Sequence, residues 1–501
     1  MKLKSLLTLS LLTWAGTAVF AQNQLALNPK PNFYLASHIR KTFGLTASIP
    51  NYGVAMIVNT ANKEFGVTLI DDNTKQLWQV EMEGHPLTVS NYKGNVIVIY
   101  SADKTFFGGV KNEYSAKILD SKTGKTIKEQ KIYEGSLDYN EDPEFYFAED
   151  QGRFTLISRE TNLKKGLKVH LNPFKDPYSS IKEKLESTRN YAILSFDENL
   201  KSSNIVTPKF YQGQSFKHFL TESGNIVFAH HNSVDKQILF DLYDHTQDKP
   251  TAQATLKLND AKNFNEITTL IKYDTQNKSY YLSVFYETTG KSKKLIVGKI
   301  NFETGKTETK EELIDKDVFN SWSKNYTPVN KKLDDFKLGN YYYLNLADLE
   351  IVNHKIVVEL TSSFVEISRS NITYTSQSSL LKFFDENLGF KFQTIFPRFL
   401  YGASDDLASL SFLANGNTAT IIGNTKNGQI SYTPVYMKVD LNSGTILSYD
   451  KLPNQHIDDK FYIRTKNLRK FNNDKVLLTY TERYGGLKSK YDTILQVIGT
   501  K

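Results

Sequence analysis

The amino-acid sequence predicts an all-β fold, a β-propeller of four-stranded antiparallel blades. Three observations favour it: a strand–turn–strand unit recurs along the chain, further apolar strand candidates fill the spacing, and helical periodicity is nearly absent. The pentapeptide FDENL shows the repeat most plainly, because it occurs at 196–200 and again at 384–388, each time after an apolar run. Self-similarity over roughly 40 to 60 residues with strand-only patterning is typical of propeller blades.

Every copy of the unit has Asp or Asn at the same turn position. Such a side chain accepts a hydrogen bond from the backbone N–H two residues later and closes an Asx turn. Gly124, Gly305 and Gly444 then occupy a position that needs positive φ, which glycine adopts without steric cost. Asn199 and Asn387 are expected to do the same in the two FDENL copies. The aligned turn residues are Asp71, Asp120, Asp197, Asp244, Asn301, Asp385 and Asp440.

The spacing of these turns suits one blade per interval. The intervals are 49, 77, 47, 57, 84 and 55 residues, so two of them hold insertions. One further strand is expected in each unit, bounded by turn residues. These strands are GNVIVIYSA, GRFTLISRE, GNIVFAHHN, KSYYLSVFYE, HKIVVELTSSF, NTATIIGNT and DKVLLTYTER.

The C-terminus predicts an incomplete last blade. FYIRTKNLRKF, DKVLLTYTER and KYDTILQVIG supply three strands and no fourth. A propeller commonly completes its last blade with an N-terminal strand, which removes an exposed edge. We expect residues 32–48 to provide that strand and close the ring. The predicted count is eight blades, with seven as the alternative if the first unit is itself incomplete.

The first copy of the unit, DDNTKQLW at 71–78, resembles the repeat of quinoprotein-type (PQQ-like) eight-bladed propellers. In that family a turn of the form D-x-x-T-G leads to a docked tryptophan. Lys75 stands where the pattern has glycine, and the other six copies lack the tryptophan of position 78. The resemblance covers the turns and implies a propeller. It does not carry a quinone across, and we expect no cofactor.

The N-terminus predicts a secretory signal peptide over residues 1–21, followed by a single propeller domain over residues 22–501. Lys2 and Lys4 precede an uncharged, largely apolar run over 6–20, and Ala21 ends the small-residue cleavage site. This run is shorter than the ~20 apolar residues that a membrane span needs, and no later stretch qualifies. We therefore expect cleavage after Ala21 and export to the periplasm or the cell exterior.

Composition excludes several function classes. The chain has no cysteine, so disulfides, thiolate metal sites and a cysteine nucleophile are ruled out. The formal charge is +8, and acids alternate with lysines in most segments, so the basic track that nucleic-acid binding needs is missing. With 29 Tyr and 31 Phe, aromatic side chains are expected to supply much of the core.

Motifs for catalysis or metal binding are missing as well. The sequence has no G-x-S-x-G nucleophile elbow and no H-x-x-x-H spacing among its nine histidines. His230 and His231 are adjacent, and neighbouring residues of a strand point to opposite faces, so they do not form a metal pair. We therefore assign no catalytic residue and no metal ligand from the sequence.

The two long intervals contain insertions near 159–190 and 315–343. Loops on a rigid scaffold often carry recognition, although long loops are also tolerated without a role. Basic and aromatic side chains in the two insertions are the candidate binding residues. They are Lys164, Lys165, Lys168, His170 and Phe174 in the first, and Trp322 and Tyr326 in the second.

These observations favour an exported non-enzymatic propeller that binds an envelope or extracellular protein or polysaccharide, as a scaffold or interaction module. The alternative is a propeller enzyme, a hydrolase or lyase acting on extracellular glycan or peptide with carboxylates from separate blades. A third hypothesis is one subunit of a larger envelope assembly. A pocket with two or three acids of shifted pKa would favour the enzyme. A broad aromatic surface without such acids would favour the binding protein.

Overall fold

A computed structural model gives the fold over most of the chain. It describes residues 23–25, 46–61, 64–73, 75–101, 112–135, 143–148, 152–161, 188–202, 215–220, 225–244, 249–331, 333, 336–367, 372–403, 405–427, 431–452, 461–463, 465, 468–471, 475–484 and 490–499. These residues form 33 β-strands, two α-helices and two short 3₁₀ turns. The strands assemble into seven sheets, A to G.

The first three sheets follow one another along the chain. Sheet A contains β2 (Thr46–Ile49), β3 (Gly53–Ala61), β4 (Glu64–Ile70) and β5 (Gln76–Glu83). Sheet B contains β6 (His85–Tyr92), β7 (Asn95–Ser101), β8 (Asn112–Leu119) and β9 (Thr126–Gly135). Sheet C contains β10 (Glu144–Ala148), β11 (Arg153–Thr161) and β12 (Thr188–Phe196).

Sheet D has eight strands in two halves. The first half contains β13 (Ser215–Leu220), β14 (Ile226–Asn232), β15 (Gln237–Tyr243) and β16 (Ala252–Lys257). The second half contains β17 (Thr268–Asp274), β18 (Ser279–Glu287), β19 (Lys293–Asn301) and β20 (Lys306–Ile314). The halves meet where Thr255 of β16 pairs in parallel with Lys306 of β20.

The last three sheets contain the remaining strands. Sheet E contains β21 (Leu344–Val352), β22 (Lys355–Ile367), β23 (Ile372–Phe384), β24 (Phe390–Phe396) and β25 (Leu400–Ala403). Sheet F contains β26 (Ser411–Asn415), β27 (Thr418–Asn427), β28 (Ser431–Asp440) and β29 (Ile446–Lys451). Sheet G contains β1 (Asn23–Leu25), β30 (Phe461–Ile463), β31 (Arg469–Lys470), β32 (Lys475–Tyr484) and β33 (Lys490–Gly499).

Short helices occur in the connections. Helix α1 (Lys316–Lys324) follows sheet D, and helix α2 (Asp405–Ala408) precedes sheet F. The 3₁₀ turns are Phe264–Glu266 and Tyr341–Tyr343.

The sheets have the antiparallel meander of propeller blades. In A, B, F and each half of D, four consecutive strands pair in chain order. The first strands of neighbouring units contact one another, as β2 does with β6 and β17 with β21, so the sheets are arranged around a common centre. The described residues therefore form an all-β, propeller-like arrangement of four-stranded antiparallel blades.

The core lies between neighbouring sheets. Each space between two sheets has its own buried cluster, for example Phe396 of sheet E with Val435 and Met437 of sheet F. Because both faces of a middle strand are covered, such strands are continuous apolar runs. Strand β7 (NVIVIYS), with its five central residues buried, is one of these.

The ends of the chain meet, but not through the strand that the sequence predicted. Strand β1 pairs antiparallel with β33, whereas residues 46–48 of the predicted segment 32–48 begin β2 and pair with β3. The rest of that segment lies outside the described residues. Since β30 and β31 already occupy one edge of β32, the edge of β33 is the one that accepts a further strand. Sheets G and A also bury Phe471 and Leu477 against Met56.

The side chain at the start of each described turn accepts backbone N–H groups. At each of these turns the Oδ1 atom accepts from one or two backbone N–H groups over 2.7–3.0 Å. The acceptors, each with its donors, are Asp71 with Asn73 and Lys75, Asp120 with Thr123, Asp197 with Asn199 and Lys201, Asn301 with Glu303 and Thr304, Asp385 with Asn387 and Gly389, and Asp440 with Asn442 and Ser443. Asp244 directly follows β15, and residues 245–248 of its turn lie outside the described part of the chain.

Positive φ falls on leucine and not on asparagine in the FDENL turns. Leu200 has φ of 58° and Leu388 of 64°, while Gly124, Gly305 and Gly444 have φ of 69–75°. The FDENL turns are one residue shorter, since Leu200 N donates to Asp197 O three residues back, whereas Gly124 N donates to Asp120 O four back. Both leucines are buried, and the burial of the side chain offsets the backbone strain.

An aromatic ring from one sheet docks on the turn of the next. In β5, Trp78 donates from Nε1 to the carbonyl of Ser121 at 2.8 Å, and its ring lies against Gly124. In β24, Phe392 lies against Gly444 in the same way. A Cβ at Gly124 would come within 2.9 Å of the Trp78 ring, and one at Gly444 within 2.5 Å of Phe392. Glycine at these turns therefore provides both the positive φ and the space for the ring.

Replacing Gly444 by Ala is expected to destabilise the fold more than the same change at Gly416. Both glycines have positive φ, but a Cβ at Gly416 meets no atom within 4 Å, whereas one at Gly444 overlaps Phe392. The excess loss for G444A should be about 1–3 kcal/mol, the usual cost of overpacking. Urea unfolding of the two variants measures it. Equal losses would show that ring docking does not constrain the turn.

Candidate functional site

A cleft of about 1070 Å³ opens between the second half of sheet D and sheet E and extends to Gly444 and Ile446 of sheet F. Apolar side chains of β19 and β23, such as Leu295 and Leu380, line its inner part. The outer strands β20 and β24 contribute charged and aromatic side chains, and α1 contributes Val318 and Trp322. Because fourth strands form the outer edge of a blade, the cleft lies at the rim of the ring. We call it the rim cleft.

Lys382 lines the rim cleft although the residue is only 2% exposed. Its ammonium donates to Glu312 Oε1 at 2.8 Å and to Gln393 Oε1 at 3.0 Å. The ring centroids of Trp322 and Phe390 lie 5.8 and 5.4 Å from Nζ, within cation–π range. A carboxylate, an amide and two rings thus compensate a charge that burial would otherwise make costly.

One hydrogen of this ammonium has no acceptor among the described residues. A lysine ammonium carries three N–H donors, and two of them are used by Glu312 and Gln393. Since the positive charge is already balanced by Glu312, the remaining donor suits a neutral acceptor such as a carbonyl or a hydroxyl. The cleft therefore offers one directed polar contact within apolar and aromatic walls.

Helix α1 brings the two candidate residues of the second insertion to the cleft. Asp315 caps the helix by accepting from Val318 N at 2.8 Å. Phe319 and Trp322, three residues apart, lie on one face and are buried in the core between sheets D and E. Tyr326, just after the helix, stacks on Phe336 with centroids 4.2 Å apart. Trp322 and Tyr326 both line the rim cleft.

The candidate residues of the first insertion fall within 162–187, outside the described residues. They remain predictions: Lys164, Lys165, Lys168, His170 and Phe174.

Sheet E also holds a buried ion pair. Arg398 is fully buried and donates from Nη2 to Glu359 Oε1 at 2.9 Å and to Ser379 Oγ at 2.8 Å. Arg398 Nη1 donates to the carbonyl of Ala408, which ties α2 to the sheet. Burial raises the pKa of Glu359, while Arg398 and Ser379 oppose that change. The ion pair therefore links β22 and β23 to the segment between β24 and β25, which contains Arg398.

Asp348 lies directly across from Glu359 on β21, the first strand of sheet E. Burial and the charges of Glu350 and Glu359 raise the pKa of Asp348 to about 7, and Lys272 opposes this shift. Lys272 of β17 bridges to Glu350 at 3.1 Å. Asp348 and Glu359 are thus acids with shifted pKa values. Neither the rim cleft nor a second, smaller pocket, which Asn277 and Glu386 line, contains them.

The histidine pair is divided between two faces of β14. His230 Nε2 lies 3.0 Å from Asp241 Oδ2, and His231 Nε2 lies 3.0 Å from Thr269 Oγ1 in the other half of sheet D. Both histidines are buried and belong to the packing between sheets. Among the described residues no group of three or more His, Asp or Glu is arranged to hold a metal ion. No described helix is long and apolar enough to cross a membrane.

Comparison with solved structures finds distant similarities. Three solved structures resemble this chain: the WD40 domain of SCAP from fission yeast, the β-propeller domain of the Trilobed protease from Pyrococcus furiosus and a GH43 β-1,3-galactosidase. The propeller-like arrangement of this chain rests on the sheet topology of its own described residues. The three are 9%, 8% and 10% identical to it, with TM-scores of 0.34, 0.37 and 0.27. The alignments cover 90%, 83% and 82% of this chain and 96%, 95% and 90% of theirs.

Sequence comparisons add no family. No family model matches the chain, and no curated protein matches it.

Most of the rim cleft was missed by sequence reasoning. Lys382 belongs to the apolar run before the second FDENL, Glu312 to an alternating charged strand, and Phe390 follows the turn. The local signal was a lysine at an inward position: Leu380, Lys382 and Phe384 alternate along β23 and all line the cleft. A charged residue on the buried face of a strand predicts that a partner lies on the facing sheet. It does not predict which residue that partner is.

Removal of the Lys382 counterion is expected to destabilise the protein more than removal of the lysine. Glu312→Gln leaves a buried ammonium without a carboxylate, whereas Lys382→Met keeps an apolar chain between the two rings and leaves Glu312 with its 36% side-chain exposure. The expected loss for E312Q is roughly 1–3 kcal/mol, and K382M should lose less. Chemical denaturation at pH 7 compares them. A larger loss for K382M would show that the ion pair stabilises the fold as such.

Asp348→Asn is expected to stabilise the protein in a pH-dependent way. A carboxyl with a folded-state pKa near 7 and an ordinary unfolded pKa loses stability as pH rises from about 4 to 7. Asparagine removes that penalty and keeps the acceptor for Leu349 N. The gain should exceed about 1 kcal/mol at pH 8 and disappear near pH 4. Thermal melts of both proteins across this range test it, and a gain independent of pH would contradict the assignment.

Proposed function

We propose that this protein is an exported, non-enzymatic interaction module whose rim cleft receives an extended segment of a partner protein. The observation that carries the proposal is the single free donor of Lys382 between apolar and aromatic walls. A peptide offers the matching groups, because its backbone carbonyls are neutral acceptors and its apolar side chains fit the lining at Leu295 and Leu380.

The charges around the cleft support a neutral ligand. The lysines that line the cleft, Lys310 and Lys382, are balanced in formal charge by Glu311 and Glu312. A carboxylate in the cleft would compete with Glu312 for the Lys382 ammonium. An uncharged stretch of polypeptide has no such cost.

The sheet edges beside the cleft support an extended conformation for that segment. Strand β24 pairs only with β23 among the described strands, and β20 meets β16 only at Lys306. Unpaired strand edges accept an added strand through main-chain hydrogen bonds. Phe390, which is 54% exposed at the start of β24, then forms an aromatic anchor at the entrance.

The proposal includes the organisation expected from the sequence. Counting the two halves of sheet D as separate blades gives eight blades, with the last one completed by β1. Residues 1–21 act as the signal peptide, and the mature chain from Gln22 functions in the periplasm or at the cell exterior. Its partner is an envelope or extracellular protein.

Peptides selected against the mature chain test the cleft directly. A random peptide library displayed on phage should yield binders that lose at least about tenfold in affinity for Phe390→Ser, since an aromatic anchor is removed. Leu77→Ser is the matched control, because Leu77 is also exposed on an outer strand, at 44%, but lies in sheet A. Binders that respond equally to both changes, or a library that yields none, would contradict the proposal.

A propeller hydrolase or lyase is the second candidate function, and Asp348, which lies outside both pockets, is the acid to test for it. A carboxyl with a pKa near 7 beside other acids suits proton transfer. Turnover assays on envelope glycans and peptides, with Asp348→Asn as the matched variant, test this alternative. Turnover that D348N abolishes would support it, and undiminished turnover in D348N would exclude Asp348 from the reaction.

A further inference from the structure

The rim cleft extends around the outer edge of β24. Thr394 and Ile395 are neighbours in this strand and point to opposite faces of sheet E, yet both line the cleft. Leu295 lines it from sheet D, and Gly444 and Ile446 line it from sheet F. The open space therefore passes from one face of sheet E to the other along the edge of β24, and the main chain of that edge borders the cleft.

The main chain along this edge offers hydrogen bonds for a further strand. Strand β24 has seven residues and pairs with β23 on one side, and no other described strand pairs with it. On the outer side of such a strand, alternate residues direct their N–H and C=O groups away from the sheet. Donors and acceptors at this spacing match the main chain of an extended polypeptide.

Strand β20, on the sheet D side of the cleft, is less suited to accept a strand. Its Lys306 pairs with Thr255 of β16, and the Thr307 hydroxyl donates to the carbonyl of Thr255 at 3.0 Å. Lys310 and Glu312 of β20 line the cleft, and charges that point inward from an edge strand oppose further pairing. The side chains of β24 that line the cleft are uncharged. The edge of β24 is therefore the one that accepts a strand.

The walls on the two sides of β24 differ in depth. Towards sheet D the lining reaches Leu295 and Leu380, which are buried core residues. Towards sheet F it reaches Gly444 and Ile446. The Phe392 ring fills the space beside Gly444, where an added Cβ would come within 2.5 Å of it. Large apolar side chains therefore fit on the sheet D side and small side chains on the sheet F side.

We propose that the partner segment binds as a strand added to the free edge of β24, with large apolar residues alternating with small ones. Successive side chains of a strand point to opposite faces, so the large ones enter the cleft towards sheet D and the small ones lie against Gly444 and Ile446. This inference rests on the proposed function. It gives the partner a large–small pattern over about the seven residues of β24.

Backbone N-methylation of a peptide ligand tests the added strand. The probe is a phage-selected peptide whose affinity for the mature chain depends on Phe390. Every second N–H of an added strand points to β24, so methylation should raise the dissociation constant at least about tenfold at alternate residues and less than about threefold at the residues between them. Titration calorimetry measures each methylated peptide.

A side-chain exchange tests the large–small pattern. Leucine in place of one small residue of the peptide should weaken binding at least about tenfold, because it overfills the sheet F side. Ile446→Ala should recover at least about fivefold of that loss, since it makes room on this wall. Leu447→Ala is the matched control, because Leu447 is the next residue of β29, is 55% exposed and does not line the cleft. It should recover none of the loss.

Several results would overturn the inference. Uniform tolerance of N-methylation, or uniform loss along the peptide, would show that the segment does not add to β24 as a strand. Equal recovery with Ile446→Ala and Leu447→Ala would refute the assignment of the small residues to sheet F. Either result would leave the proposed function supported, because the peptide still depends on Phe390. A library without any Phe390-dependent peptide would overturn the proposed function and this inference together.

Discussion

Face-to-face packing of neighbouring sheets is the constraint on which the rest of this structure depends. No disulfide is available, and each sheet buries apolar side chains on both faces against the sheets beside it. Sheets that radiate from a centre diverge towards the rim, so a gap opens between their outer strands. Trp78 on the Gly124 turn and Phe392 on the Gly444 turn fill that gap at two of these interfaces.

At the interface that contains the rim cleft, other side chains fill the gap between the outer strands. Between sheets D and E, the turn glycine Gly389 has its own Asp385 carboxylate as nearest neighbour, and no ring from β20 lies on it. The side chains that line the cleft from β20 are Lys310, Glu311 and Glu312. Helix α1 fills part of the gap with Phe319 and Trp322, and Lys382 fills part of what remains. The cleft is thus a consequence of replacing an aromatic dock by charged side chains and a helix.

The sequence allowed the repeating architecture to be predicted because its signals are local. An Asx turn and an apolar strand are each specified within a few residues, and the strand predicted from KSYYLSVFYE is β18. Longer-range choices were not predictable. Leu388 takes positive φ in place of Asn387 because its side chain is buried by another sheet. The strand that pairs with β33 is β1, which ends seven residues before the expected segment begins. Trp322 was noted, but its partner Lys382 lies 60 residues away and is met only in three dimensions.

Hydrogen–deuterium exchange of the mature chain with and without a phage-selected peptide shows whether the rim cleft binds the peptide, because it locates the protected segments without assuming the site. We expect added protection in β20, α1 and β24, which surround the rim cleft, and no change in β4 and β5 of sheet A. Protection centred on the first strands around Asp348, or spread over a sheet remote from the cleft, would contradict the claim that the rim cleft is the binding site.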